Sequence, residues 1–482
     1  MSDPKTRRFF LGALTAASAT RVWGANDKMN VGIVGLGGRG SNHISYYSHM
    51  DNARVAAICD VYQTQVETAN ATLARGGAEK AKEFGDMRLL FADPGVDVVS
   101  IATPNHWHAL ATIWAMKAGK DVYCEKPACY NIHEGLEMLK VQRETKKLVQ
   151  IGSQHRSTPF KMKAMDAMHQ GLIGRIYMAK GLCFKRRPSI GHTADSPTPA
   201  GLNWDLFLGP APMRAYNDRR YKYYWHWFWD TGNGDIGNQG VHEIGICRWG
   251  LADPDWPKTV VSFGGKLGID DDTETPNMLT AGYNYGDRQI VFEVRGNLTG
   301  GEGVRQARVV TAGPGLGRGG RGGRGGPGAP SVTPPAEGAA PPAAPPNAPA
   351  PMQTGPASNP INVGVGNLFY GTEGWASMSD QGFQAYKGES SELILEERPE
   401  RGPDNTTVMH MQNFLSAVKS RNEKELHDPL SNAHLSAGMC HLANISYRAG
   451  RKLTLEAGPK FTGDAEANKL LSRDTYRKPY VV

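Results

Sequence analysis

Residues 29–60 read MNVGIVGLGGRGSNHISYYSHMDNARVAAICD, and the reading of the fold starts from them. Gly35, Gly37 and Gly40 follow the apolar run Met29–Val34 and open a helical stretch. Asp60 closes the next apolar run, twenty residues beyond Gly40. In a chain with 58 glycines, a glycine triplet alone says little. Set between a strand and a helix, with an acid at this distance, it is the fingerprint of a dinucleotide-binding turn. The first glycine permits the tight turn, the second lets backbone approach a pyrophosphate, and the third packs helix against strand. The helix start then offers free N–H groups and a positive dipole end to the phosphates. Asp60 is expected to accept hydrogen bonds from the adenosine ribose hydroxyls, favouring NAD over NADP. The plainer alternative makes Asp60 a turn residue that ends a strand. Arg39, inside the loop, argues for NADP, because an arginine there accommodates a 2′-phosphate.

Outward from this stretch, strands and helices alternate as far as residue 152. Strands are expected at Met29–Val34, Arg54–Asp60, Val96–Ala102, Asp121–Cys124 and Leu148–Gly152, with helices such as Trp107–Ala118 and His133–Thr145 between them. Such alternation predicts an α/β fold with a doubly wound parallel sheet, a Rossmann domain over 29–152. Ligands of these sheets bind outside the carboxyl ends of the strands. Gly35, Gly37, Gly38, Arg39, Gly40, Asp60, Thr103, Pro104, Asn105, His108, Glu125 and Lys126 all fall on that edge and form the expected cofactor site.

Residues 153–482 read differently. The runs Met278–Tyr285 and Arg288–Val294 flank Gly286-Asp287, a two-residue hairpin signal. Lys258–Leu267 and Tyr177–Phe184 also read as strands, so this half is expected to be α+β with a large, mostly antiparallel sheet. Val408, Met411, Phe414, Leu415 and Val418 recur at helical spacing after the capping sequence Asp404-Asn405-Thr406. Residues 313–359 are rich in Gly, Pro and Ala and cannot bury enough apolar surface to order themselves. They read as an insertion, with an arginine–glycine RNA-binding segment as the weaker alternative.

The chain has 482 residues and a formal charge of +7, part of it in the leader and the insertion, so no nucleic-acid surface is expected. Residues 1–25 resemble a twin-arginine signal: Thr6-Arg7-Arg8-Phe9-Phe10-Leu11, then the apolar run Leu11–Ala19. That run is too short for a stable membrane span. Cleavage is expected after Ala17-Ser18-Ala19 or near Gly24-Ala25, and the expected location is periplasmic or otherwise exported through the twin-arginine machinery. A cytoplasmic start is the alternative. Six cysteines show neither metal spacing nor the density of a disulfide scaffold. Cys59 and Cys124 end strands and are expected to be buried thiols.

Thr103-Pro104-Asn105-His106-Trp107-His108 follows one strand and Glu125-Lys126-Pro127 the next. With the glycine loop, with Asn203-Trp204-Asp205 and Leu208-Gly209-Pro210, and with residues Gly234 to His242 (GDIGNQGVH), they resemble the Gfo/Idh/MocA oxidoreductase family. The resemblance runs over nearly the whole chain except the leader and the insertion. It implies that Lys126 and His242 face a substrate beside the nicotinamide ring, and that the protein is a homo-oligomer, a dimer or a tetramer. The chemistry agrees. Hydride removal from a carbinol needs a base for the hydroxyl proton and a donor for the developing carbonyl oxygen. Histidine titrates near neutral pH and suits the base; lysine is a charged donor whose pKa burial lowers. Pro127 biases Lys126 toward an extended backbone. Either residue alone would read as a surface lysine or a core histidine.

Two positions depart from the family pattern. Asn238 and Gly245 stand where aspartates are frequent, so His242 is expected to carry more of the proton transfer, helped by Asp235 or Glu243. The expected catalytic set is therefore Lys126, His242 and Asn238, and the substrate side adds His155, Arg156, Trp204 and Tyr224. His106, His108 and His226 lack companion ligands at metal spacing and are expected to line the cleft instead. The aromatic run Tyr221 to Trp229 offers surfaces for a sugar ring. The leading expectation is an exported NAD-dependent oxidoreductase acting on a ring hydroxyl of a sugar or cyclic polyol, its cofactor bound tightly and recycled within turnover. The alternative is a redox-neutral glycosidase or lyase that oxidises transiently and eliminates. A sugar-binding protein without catalysis fits less well with Lys126 and His242 both present, and no G-x-S-x-G element points to a serine hydrolase.

Overall fold

The computed structural model describes residues 28–297, 299–302, 363–388, 392–400, 402 and 404–482. The leader at 1–25 and the insertion at 313–359 lie outside the described residues. The first sheet contains β1 (Met29–Val34), β2 (Ala53–Cys59), β3 (Lys82–Phe84), β4 (Val98–Ile101), β5 (Asp121–Cys124) and β6 (Val149–Ile151), all parallel, in the order β3-β2-β1-β4-β5-β6. Its helices are α1 (Gly38–Ser48), α2 (Gln63–Arg75), α3 (Met87–Ala92), α4 (Asn105–Lys117) and α5 (Ile132–Thr145). Every residue of β4, β5 and β6 is buried, as expected where helices cover both faces of a parallel sheet. The strand order reverses between β1 and β4, which opens the ligand crevice there. Short β3 has no apolar alternation to announce it: its residues are Lys82, Glu83 and Phe84 on the sheet edge.

The second sheet has nine strands: β7 (Ile176–Cys183), β8 (Thr259–Gly265), β9 (Met278–Asn284), β10 (Gln289–Arg295), β11 (Val365–Gly371), β12 (Gly374–Ser379), β13 (Gly382–Lys387), β14 (Leu393–Glu397) and β15 (Leu453–Thr454). Their order is β14-β13-β12-β11-β7-β10-β9-β8-β15. Among the described strands only β7 and β10 pair in parallel; the other pairs are antiparallel. The β9–β10 hairpin turns at Gly286-Asp287, where Gly286 has φ +104° and Tyr285 N donates to Arg288 O at 2.9 Å. The remaining helices are α6 (Pro159–His169), α7 (Trp204–Leu208), α8 (Val241–Gly250), α9 (Thr406–Ser420), α10 (Leu430–Ala449) and α11 (Ala465–Lys469). Helix α8 packs on β7 and β11, and α10 on β8.

Helix α9 departs from chain order. Met411, Phe414, Leu415 and Val418 are buried with Val31, Ile33 and Tyr123 of the first sheet, and Phe414 meets Tyr123 edge-on at 6.0 Å. A helix from the second half thus covers the Rossmann sheet. Its cap also differs from expectation: Asn405 makes no side-chain cap bond, and Asp404 Oδ1 accepts from Thr406 N instead. No described helix is long and apolar enough to cross a membrane.

Candidate active site

A cleft of about 1140 Å³ runs along the carboxyl ends of β1, β2, β4 and β5 and is closed on the other side by residues 185–190 and 221–239. At its first-sheet end the glycines divide the work. Gly35 sits at φ +83°, and a Cβ there would lie 2.7 Å from Ala102 O. A Cβ on Gly40 would lie 1.8 Å from Gly35 O, so helix and loop touch at that point. Gly37 and Gly38 face open space, with nothing within 4 Å of an added Cβ. Helix α1 begins there without a side-chain cap, so its first N–H groups stay available to phosphate oxygens. Thr103 Oγ1 is a further buried polar atom with no partner. These residues fit a dinucleotide.

Asp60 is more than a ribose acceptor. Its carboxylate takes Leu36 N at 2.7 Å and Tyr62 N at 2.9 Å, fastening the glycine loop to the end of β2. A carboxylate has about four acceptor sites, so capacity toward the cleft remains. Burial pushes this carboxyl's pKa up, and the backbone N–H groups hold it back. The two readings of Asp60, turn residue and ligand, are therefore compatible.

Arg39 and Glu125 hold each other. Arg39 Nε lies 2.7 Å from Glu125 Oε1, and the same oxygen is 2.9 Å from His43 Nε2, whose Nδ1 meets Ser100 Oγ at 2.9 Å. Burial works against the charged carboxylate, but Arg39 and the His43 bond hold Glu125 well below the usual range. Glu125 thus fixes the loop around Lys126 through Oε1, and it also lines the cleft. His108 places Nδ1 2.6 Å from Pro127 O and Nε2 2.8 Å from Thr103 O, tying together the loops after β4 and β5. Asn105, in the first turn of α4 behind Pro104, donates to Asn233 Oδ1 at 3.1 Å and links the two halves of the chain.

Lys126 leaves the end of β5 and reaches across the cleft. Its Nζ donates to Asn238 O at 2.7 Å and to Asn238 Oδ1 at 3.1 Å. Burial draws the lysine down to about 8, against the field of Glu125. Asn238 lies in a single π turn, Ile236–Gly240, just before α8, a geometry frequent at functional sites. Its Nδ2 donates to the Tyr223 hydroxyl at 3.1 Å. Next to it, Gln239 accepts from Lys185 Nζ and donates to Glu243 Oε1 at 3.0 Å. Tyr224, His226 and Trp227 line the same wall, and His226 stacks on Trp225 with centroids 3.6 Å apart.

Several expected residues stand elsewhere. His242 does not line the cleft; it lies behind it, beside a small cavity of about 10 Å³ shared with His155 and Arg156. Its ring meets His155 edge-on at 4.9 Å, and its Nδ1 is buried without a partner. Burial, then the charges of neighbouring groups, drive His242 well below its ordinary pKa, so it is neutral. Arg156 is locked in a two-pronged ion pair with Asp253 at 2.6 and 3.0 Å and donates to Gly245 O. His155 Nδ1 accepts from Lys161 Nζ at 2.9 Å. Trp204 is buried in a cluster with Phe207, Leu208 and Tyr216, its Nε1 donating to Arg214 O. Asp235 is taken by Arg187 at 2.7 Å. Burial pushes the Glu243 carboxyl up to about 7. The partners of Arg156 and Asp235 come from distant segments, whereas Trp204 is enclosed by its own neighbours Phe207, Leu208, Arg214 and Tyr216.

Lys185, Arg187 and Gln239 also line the cleft. Lys185 directly follows a strand legible in the sequence, which is the one signal it carried. Among the described residues no group of three or more His, Cys, Asp or Glu gathers to hold a metal. His106 instead faces Phe207 O at 2.8 Å. All six cysteines are buried and unbridged.

Comparison with known proteins agrees with this architecture. Residues 29–153 match the family model described as oxidoreductase family, NAD-binding Rossmann fold, and residues 175–294 match its C-terminal alpha/beta domain. The chain is 34% identical over 161 residues to levoglucosan dehydrogenase of Pseudarthrobacter phenanthrenivorans, covering 32% of this chain and 40% of that protein. It is 27% identical over 154 residues to a glycosyl hydrolase family 109 protein of Shewanella putrefaciens, covering 31% and 34%. The matched stretch thus spans less than half the length of these relatives. The crystal structure of the WlbA dehydrogenase from Bordetella pertussis, in complex with NADH and UDP-GlcNAcA, superposes with a TM-score of 0.55 at 18% identity, over 89% of this chain and 99% of that one. At that identity the likeness is one of fold. The two matched family models, the six-stranded parallel sheet and the glycine loop at its switch point together place this chain in the Gfo/Idh/MocA family of NAD-binding oxidoreductases.

Proposed function

We propose that this protein oxidises a ring hydroxyl of a sugar or cyclic polyol, with Lys126 as the proton-accepting group. The observation that carries the reading is Lys126 itself: half-buried at a strand end, drawn down to about 8, and aimed across the cleft by Asn238. Bound along the glycine loop, NAD would supply the hydride acceptor for the carbinol carbon. The hydroxyl proton is then left to this chain. Lys126 in its neutral form takes that proton, and Asn238 fixes the direction of the amine. The aromatic wall of Tyr223, Tyr224 and Trp227 gives a ring its stacking surface. His242 lies behind the wall, against His155, and is given no step in this reading.

The relatives named as glycosyl hydrolases favour a second reading, cleavage of a glycoside; with NAD in this cleft it would run by transient oxidation of the ring, elimination of the glycosidic substituent and return of the hydride. One experiment tests both. The purified full chain is loaded with NAD and mixed with sugars and with aryl glycosides. Reduced nicotinamide or a reduced second product supports the oxidoreductase, whereas aglycone release with no net redox change supports the elimination. Failure to retain or accept any nicotinamide cofactor would remove both readings.

We further propose that the leader routes the folded, cofactor-loaded protein out of the cytoplasm, and that the cofactor is therefore held tightly and reset within each turnover. Support comes from Arg7-Arg8 and the apolar run behind them. Replacing both arginines with lysine should leave the protein in the cytoplasmic fraction; unchanged fractionation would end that reading.

A further inference from the structure

The substrate end of the cleft holds more positive charge than its carboxylates balance. Lys185, two residues past the end of β7, has its ammonium against the neutral amide oxygen of Gln239. Among the described residues no carboxylate is hydrogen-bonded to it: two are paired with other cations, and Glu243, whose Oε2 has no partner, acts on it through space only. Asp235 is held by Arg187, Asp380 by Lys161 at 2.7 Å, and Glu243 takes its hydrogen bond from Gln239. Arg186 follows, exposed on the cleft wall. Through Gln239 and its neighbour Asn238, Lys185 is tied to Lys126, the residue assigned to the proton transfer. The phosphates of a dinucleotide are served at the other end, by Gly37, Gly38 and the start of α1.

A partly desolvated ammonium with only a neutral acceptor is unfavourable, and an anion placed beside it gains a charge-assisted hydrogen bond. We infer that the sugar taken by this site carries an anionic group, a carboxylate or a phosphate, which Lys185 binds while the ring lies against Trp227 and Tyr223. This rests on the sugar-oxidising reading above and narrows its substrate class. A neutral sugar would leave the Lys185 charge uncompensated beside a reacting centre that is already positively charged, since the oxidised nicotinamide is itself a cation.

The test is calorimetric titration of the NAD-loaded full chain with glucose, glucuronate and glucose 6-phosphate. At least one charged sugar should bind about 10-fold or more tightly than glucose. The uronate and phosphate arms separate the two sources of charge. Lys185→Met should weaken the charged ligand by about 10- to 100-fold and bring its ratio to glucose near one, whereas Lys185→Arg should keep the preference. Equal affinity for charged and neutral sugars, no binding by either charged sugar, or a preference that survives Lys185→Met would overturn the inference. So would loss of NAD affinity in Lys185→Met with sugar selectivity intact, which would assign the lysine to the cofactor. Absorbance of reduced nicotinamide in the same samples reports the oxidation separately, so selective binding without hydride transfer would refute the reaction and leave the recognition standing.

Discussion

At the scale of single residues, the site turns on how burial changes the charge of Lys126. A lysine drawn down to about 8 loses its proton as pH rises through that value, and only the neutral amine accepts a proton from a hydroxyl. The kcat/KM for sugar oxidation should therefore climb toward pH 8 and level off above it. A profile that is flat from about pH 6 to about 9 would take the proton transfer away from this residue. Lys126→Ala should lose about 10²- to 10⁴-fold in turnover while still binding NAD, as read by fluorescence titration. Asp60 gives a second test at this scale. Its carboxylate both ties Leu36 N and faces the cleft, so Asp60→Asn removes charge from the ribose site and disturbs the loop together. NAD affinity should fall by about 10- to 100-fold, the range of one charge-assisted bond, with the discrimination against NADP reduced. Unaltered selectivity between the two cofactors would make Asp60 a turn residue alone.

At the scale of elements, the strand–loop–helix unit is rigid where its glycines touch and open where a ligand belongs. A methyl on Gly40 would meet Gly35 O at 1.8 Å, and backbone cannot yield as a side-chain end can. Gly40→Ala should lower stability by about 1–3 kcal/mol, the usual cost of overpacking, and abolish NAD binding. Gly37→Ala meets nothing within 4 Å, so its melting temperature should hold while NAD affinity drops. Equal melting temperatures for the two variants would contradict this division of labour. The contrast also shows why some of the site was legible in sequence. The glycine loop, Asp60 and Glu125-Lys126-Pro127 are local, each set by turn chemistry at a strand end. Lys126 could be placed on the right edge from its spacing, but its partner Asn238 is 112 residues away, and the bond between them is a tertiary fact. Arg156 is a case of the same kind: Asp253 is 97 residues away, and only packing reveals that the pair is closed. Helix α9 was legible as a helix, yet nothing in its periodicity states which sheet it covers.

At the scale of the whole molecule, two halves remote in sequence are held together by α9 on the first sheet and by α10, which packs on α5 of the first half and on β8 of the second. The insertion at 313–359 interrupts this body at a point already closed by described residues. Glu302 and Val363 exchange backbone hydrogen bonds at 2.8 and 2.9 Å. Glu302 is further pinned by Lys180 at 2.5 Å and Arg295 at 3.0 Å, while Val363 is fully buried beside Leu182, Phe184 and Leu368. The anchors thus belong to β7, β10 and β11, not to the insertion. Replacing 313–359 with a four-residue Gly/Ser linker shortens the closed span to less than a third. Loop-closure entropy changes by about 0.6 kcal/mol per twofold in length, so the shortened protein should gain roughly 1 kcal/mol. In a chain of this size that corresponds to a rise of about 2 °C in melting temperature, with sugar oxidation preserved. A fall of several degrees would mean that the insertion contributes packing which its Gly/Pro/Ala composition does not lead one to expect. A stable protein that no longer oxidises sugars would instead show that the segment is needed for activity.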